Sequence, residues 1–255
     1  MDAERQFALA DQIEVARSPD GAHLCSQRGT RWADWLLRTG RPGPARILTD
    51  RNAEICRSYG WNEDVAQCDR LLGRLALAAR DTATATARLA SAAECFRDGD
   101  FLTELADTLP DLADCVQATG DLGAADRHAT EAITIAAVRG LVPVDCAALA
   151  ARARIRAAQA TGSGSDPGLL FQGRDAADAA LRLAARHHLP WQELDALRAH
   201  AALDQVEGID RGWAAKADAL YARLVPPDLD PDPLATVERL VAEQKAAEAD
   251  SEEGD

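Results

Sequence analysis

Small and apolar residues return along this chain at a fixed spacing of 40 positions, from Gly29 to Val144. Trp32, Leu72 and Leu112 share one column, Ala33, Gly73 and Ala113 the next, and Leu36, Ala76 and Val116 a third. The alignment continues through Gly40, Arg80 and Gly120, then Ala45, Ala85 and Ala125, and ends at Gly60, Asp100 and Gly140. Within each stretch the apolar positions follow a helical period, broken midway by a turn, so each unit reads as a helical hairpin. A chain with this kind of self-similarity buries the apolar face of each unit only against its neighbours, as a stacked solenoid does.

The pattern places hairpins at Ala22–Arg57, Asn62–Arg97 and Phe101–Arg139, and two less regular ones from Val144 to His187 and from Trp191 to Leu224. Gly40-Arg41-Pro42-Gly43-Pro44 and Gly120-Asp121 turn corners inside hairpins. At Gly60-Trp61-Asn62 the glycine ends one helix and Asn62 caps the next. Pro110 lies within a first helix and predicts a kink or a late helix start. Residues 161–171 read as a Gly/Ser loop insertion that lengthens the fourth hairpin.

Three segments follow from this reading. Residues 1–21 hold a capping or partial-repeat helix, Ala3 to Arg17, stopped by Ser18-Pro19-Asp20-Gly21. It occupies the register of a second helix, as if the chain began inside a repeat. Residues 22–225 form the repeat body. Residues 226–255 read as an acidic linker, a short helix from Leu234 to about Ala247 capping the end of the stack, and a disordered tail.

Composition agrees with an all-helical chain, since Ala and Leu dominate the apolar content. The net charge of −14 argues against nucleic acid as a partner, because phosphate recognition needs a positive footprint. Ten acidic residues against Arg239 and Lys245 concentrate that charge from Asp228 onward. No run approaches the roughly 18 apolar residues of a membrane helix, and no secretory leader opens the chain, which points to the cytoplasm. Six singly scattered cysteines read as free, buried thiols.

Two kinds of helical repeat have this length, and the small columns favour tetratricopeptide units over HEAT units. Ala33/Gly73/Ala113 and Ala45/Ala85/Ala125 fit the close crossing of the two helices, as do Ala92 and Ala132, while Asn52 departs from their column. The expected fold is therefore all-α, a right-handed α-solenoid of about five tetratricopeptide-like hairpins.

Gly29-Thr30-Arg31-Trp32-Ala33-Asp34-Trp35-Leu36-Leu37-Arg38-Thr39-Gly40, Asn52 to Cys56, Gly60 to Ala66 and Arg70-Leu71-Leu72-Gly73 resemble the C-terminal repeats of bacterial STAND-type signalling proteins, the NACHT or NB-ARC NTPases. The resemblance extends from Pro19 to Leu224. It implies a region that senses a trigger or restrains an NTPase, and hence an NTPase-bearing module in cis or in trans. No Gly-x-x-x-x-Gly-Lys-Ser/Thr loop occurs in this sequence.

No catalytic, cofactor or metal motif stands out, so the expected activity is non-catalytic binding of a protein or peptide. In a tetratricopeptide stack the first helices line the concave groove. Their inward positions are Gln27, Asp34 and Arg38, then Gln67, Arg70 and Arg74, Asp107 and Asp114, Arg154 and Arg198. Arg70 and Arg74, one turn apart, could clamp a carboxylate of an acidic peptide. The competing expectation is that these arginines pair with Asp34, Asp107 and Asp114 on adjacent units.

Overall fold

The structure, a computed structural model, describes residues 3–18, 22–162 and 166–252, with side chains to residue 247. Among the described residues it is all-helical. The helices are α1 (Ala3–Arg17), α2 (Ser26–Arg38), α3 (Pro42–Ser58), α4 (Asn62–Ala78), α5 (Thr82–Asp98), α6 (Leu102–Ala118), α7 (Leu122–Arg139), α8 (Val142–Gly162), α9 (Pro167–Arg186), α10 (Pro190–Glu207), α11 (Trp213–Leu224) and α12 (Pro233–Glu252).

A single left-handed residue ends most of these helices. Gly40, Gly60, Arg80, Asp100, Gly120 and Gly140 all have positive φ, and they stand 20 residues apart. A left-handed residue lets the chain leave a helix while its N–H neighbours recapture the last carbonyls. Accordingly, the following N–H bonds five residues back in Arg41→Leu36, Trp61→Cys56, Asp81→Ala76, Phe101→Phe96 and Leu141→Ala136, at 2.8–2.9 Å. The next helix is capped in two of these turns by the aspartate that follows, Asp81 accepting from Thr84 N–H and Asp121 from Ala124 N–H. His188 and Gly208 repeat the device further along.

The small columns are the places of closest packing. Ala33, Ala45, Ala85, Ala113, Ala125 and Ala132 are wholly buried, and Ala92 nearly so. Asn52, the departure from the alanine column, is also buried. Its amide holds the start of α2, accepting from Ser26 N–H at 2.7 Å and donating to Ser26 C=O at 3.1 Å. A buried amide is tolerated there because both of its ends are bonded.

The chain forms two compact units, residues 1–75 with 227–255, and residues 76–226. In the first, α2 packs on α3 and α1 on α12. Its core joins Val15, Leu24, Trp32, Leu36, Leu48, Leu71, Leu72 and Leu75 to Leu234, Val237 and Val241. In the second unit consecutive helices from α5 to α11 pack pairwise, with α6 also on α8 and α8 on α10. Alanines of α8, α9 and α10 with Leu170 and Leu203 make one of its cores.

Several expectations are corrected. The short helix expected to cap the end of the stack is α12, which extends to Glu252, packs on α1 and joins the core of the N-terminal unit through Leu234, Val237 and Val241. The loop placed at 161–171 is shorter, since α8 continues to Gly162 and α9 starts at Pro167, capped by Asp166. Residues 163–165 and 19–21 lie outside the described residues, as do residues 253–255 of the tail expected beyond about Ala247. The first hairpin starts its helix at Ser26, with His23 and Leu24 in the approach to it. Asn62 is the first residue of α4, one place beyond a cap. α6 starts on time and runs through Pro110, which is buried.

Candidate binding surface

The first helices of the hairpins, α2, α4, α6, α8 and α10, carry the residues singled out from sequence. One column alternates in charge every 40 residues through Asp34, Arg74, Asp114 and Arg154. Because the helices repeat in register, residues of this column meet across adjacent hairpins. In the N-terminal unit Arg74 of α4 pairs with Asp34 of α2, whose other oxygen accepts from Arg38 Nε at 2.7 Å. In the second unit Arg154 of α8 forks onto Asp114 of α6, with Nη2 2.6 Å from Oδ2 and Nε 3.1 Å from Oδ1. Burial alone would lower the pKa of Arg154, but Asp114 outweighs it, helped by Asp195 and Asp111, and raises it above its usual value.

The remaining candidates are less tightly placed. Gln27 and Arg198 are exposed, and Arg198 lies over the Tyr221 ring at 5.6 Å. Gln67, Arg70 and Asp107 are half-buried. The pair proposed as a carboxylate clamp, Arg70 and Arg74, is thus not held open for a ligand, since Arg74 is engaged by Asp34. An incoming carboxylate would have to displace a bidentate or doubly bonded internal one, which costs its own charge-assisted hydrogen bonds.

Sequence reasoning missed three polar clusters. His23 is buried between Asp11 of α1, 2.6 Å from its Nδ1, and Glu238 of α12, 3.0 Å from its Nε2. Asp11 also accepts from Leu24 N–H at 2.7 Å, and Glu238 from Arg51 of α3 at 3.1 Å. Arg41 is buried over the Trp35 ring at 4.5 Å, bonded to Glu4, to Thr39 and to the Asp230 carbonyl. In the second unit Arg174 and Arg211 share Asp204 and Glu207. Burial would raise the Asp204 pKa, yet its bonds from Arg211 and Arg174 hold it below the usual carboxylate range. The partners in the first two clusters are up to 215 residues apart, so no local spacing announces them. Asp11 was the one available signal, a carboxylate among the apolar positions of α1.

Apolar surface is also exposed. Tyr59 and Trp61, flanking the left-handed Gly60, stack on each other with ring centres 4.9 Å apart, Tyr59 largely and Trp61 partly open to solvent. Leu9 and Ile13, one turn apart on α1, are about half exposed. An open cleft of ≈ 570 Å³ lies between α10 and α11, lined by Arg198, Asp204, Ile209 and Asp218 among others.

Among the described residues no group of three or more His, Cys, Asp or Glu side chains is placed to hold a metal ion. No described helix is long and apolar enough to cross a membrane. All six cysteines are free, four of them buried. No family model matches the chain, and comparison with curated proteins finds no match.

Proposed function

We propose that this chain is a non-catalytic helical-repeat scaffold, an α-solenoid of tetratricopeptide-like hairpins that binds a protein or peptide along the faces of its first helices. In this reading it is the sensor or regulatory region of a bacterial STAND-type signalling protein, or a partner of one. The observation that carries the scaffold is the 20-residue recurrence of left-handed helix ends from Gly40 to Gly140, with fully buried alanines at matching places in each hairpin. Such a design uses its repeated geometry for stacking and leaves the exposed positions free to specify a partner. The signalling role rests on the sequence resemblance around Gly29–Gly40 and Gly60–Gly73 alone.

The test is cross-linking mass spectrometry on the protein isolated from its source cells. The expected result is cross-links from first-helix positions, such as those near Gln67 and Asp107, to an NTPase-bearing sequence on the same or another polypeptide. A protein recovered alone, near its own 27.2 kDa and free of cross-links, would overturn the signalling reading.

A stand-alone adaptor for acidic peptides is the second reading, and it is the less favoured because Arg74 and Arg154 already carry internal carboxylates. Titration of a fluorescent acidic peptide, with binding lost on changing Arg70 and Arg74 together to Ala, would reverse that preference.

A further inference from the structure

The C-terminal helix is attached to the N-terminal unit by a short contact. Leu234, Val237 and Val241 are buried, whereas residues 242–247 are exposed, so roughly the first two turns of α12 are docked. The segment leading into it, residues 225–232, is non-helical and contains Pro226, Pro227 and Pro231. Its root is held by Arg41, which donates to the Asp230 carbonyl at 2.8 Å. The polar anchor of the helix itself is Glu238, and it is bonded to His23 and Arg51.

His23 is 3% exposed, and each of its ring nitrogens faces a carboxylate. A neutral imidazole carries one N–H and can serve only one of them; the other nitrogen would turn a lone pair on carboxylate oxygen. Only the imidazolium donates to both. Asp11 is wholly buried and also receives Leu24 N–H, so it is the carboxylate that keeps its bond when one must be lost. Glu238 has a half-exposed side chain and can turn to water. The charged groups facing the ring are Asp11 from α1, Arg51 from α3 and Glu238 from α12.

We propose that α12 is a proton-gated strap, fastened to the N-terminal unit through the imidazolium of His23 and loosened when that ring loses its proton. The direction of the gate follows from the surroundings of the two groups. Burial pulls the His23 pKa down, but the hydrogen bond and charge of Asp11, with the bond to Glu238, outweigh it and leave it above the ordinary 6.5. The bond from His23, with Arg51, holds Glu238 below the ordinary carboxylate value of 4.5. The His23 contribution is fully present below pH 6.5 and is lost as pH rises through the raised His23 value. The Glu238 contribution is fully present above 4.5 and is lost as pH falls through its lowered value. Between those limits the strap is tightest, and raising the pH through the His23 value releases it first at Glu238. Because Arg51 and the three apolar anchors remain, the release is a loosening of α12 and not unfolding of the unit.

The test uses the full chain and reads amide hydrogen exchange across Leu234–Val241 from pH 6 to 9, corrected for the intrinsic pH dependence of exchange. The expected result is a several-fold fall in protection as pH rises through the His23 value, confined to α12, with His23→Gln giving lower and pH-independent protection. A flat wild-type profile, or a His23→Gln profile that still follows the wild type, overturns the proposal. Should His23→Gln fail to fold, Glu238→Gln replaces it, since that side chain is half exposed; retention of the wild-type pH dependence in this variant also overturns it. Proton NMR supplies a second reading, in which a His23 ring that titrates at or below 6.5 is incompatible with the strap.

Discussion

At the scale of single residues, what this protein demands most is smallness and internal pairing. Gly29 of α2 packs where a methyl group would collide with the Leu24 carbonyl oxygen and crowd the Asn52 amide. Backbone cannot step aside as a flexible side chain can, so Gly29→Ala should cost about 2 kcal/mol despite the better helix propensity of alanine, as a lowered denaturation midpoint would record. The buried thiols show a second consequence of packing. Burial, with Asp111 and Asp114 nearby, pushes the Cys115 thiol up to about 12, and burial with Asp145 pushes Cys146 up to about 11. Since the thiolate is the nucleophile, both should resist iodoacetamide at pH 8 in the native state and react only on denaturation, as peptide mapping would reveal. The sequence read all six cysteines as free and buried, whereas the structure leaves Cys25 and Cys95 partly exposed and brings Asp111 and Asp114 near Cys115 and Asp145 near Cys146.

At the scale of the element, the helix ends carry the regularity. Six of them fall 20 residues apart on left-handed residues, but the sequence uses glycine at only four, Gly40, Gly60, Gly120 and Gly140, and places Arg80 and Asp100 at the others. A side chain in the left-handed region costs about 1 kcal/mol that glycine avoids. Arg80→Gly and Asp100→Gly should therefore each raise stability by about that amount, and the two should add because they end different helices; urea denaturation of the singles and the double checks both points. The columns that align these positions were legible because turn chemistry repeats wherever the hairpin repeats. Helix limits were less so. Pro110 predicted a kink or a late helix start, yet α6 starts at Leu102 and runs through it, with the flanking Leu109 and Leu112 buried against the loss of the backbone bond that proline removes.

At the scale of the whole molecule, the chain's last helix belongs to its first unit. Leu234→Ala should cost about 3 kcal/mol, and the loss should appear as reduced hydrogen-exchange protection in α1–α3 while residues 76–226 keep theirs. An α12 that served only as a terminal cap would leave α1–α3 unaffected. The same scale explains the candidate groove. Sequence placed Asp34, Arg74, Asp114 and Arg154 in one column, and it left open whether the arginines faced a ligand or each other's aspartates. That choice depends on distances across adjacent hairpins, and folding brings Arg74 to Asp34 and Arg154 to Asp114. By itself, then, the sequence determined the helical class, the recurring helix ends and the small contact columns, because each of these depends on local backbone preference and on residues a fixed number of positions apart. Only the tertiary structure decided the partners of Arg74 and Arg154, the knot of Asp11, His23 and Glu238, and the return of α12 to the N-terminal unit. The arginine pairs follow a 40-residue spacing that the sequence shows without saying which partner each charge meets, whereas the contacts of Asp11, His23 and Glu238 join residues up to 215 positions apart, for which the chain carries no periodic mark.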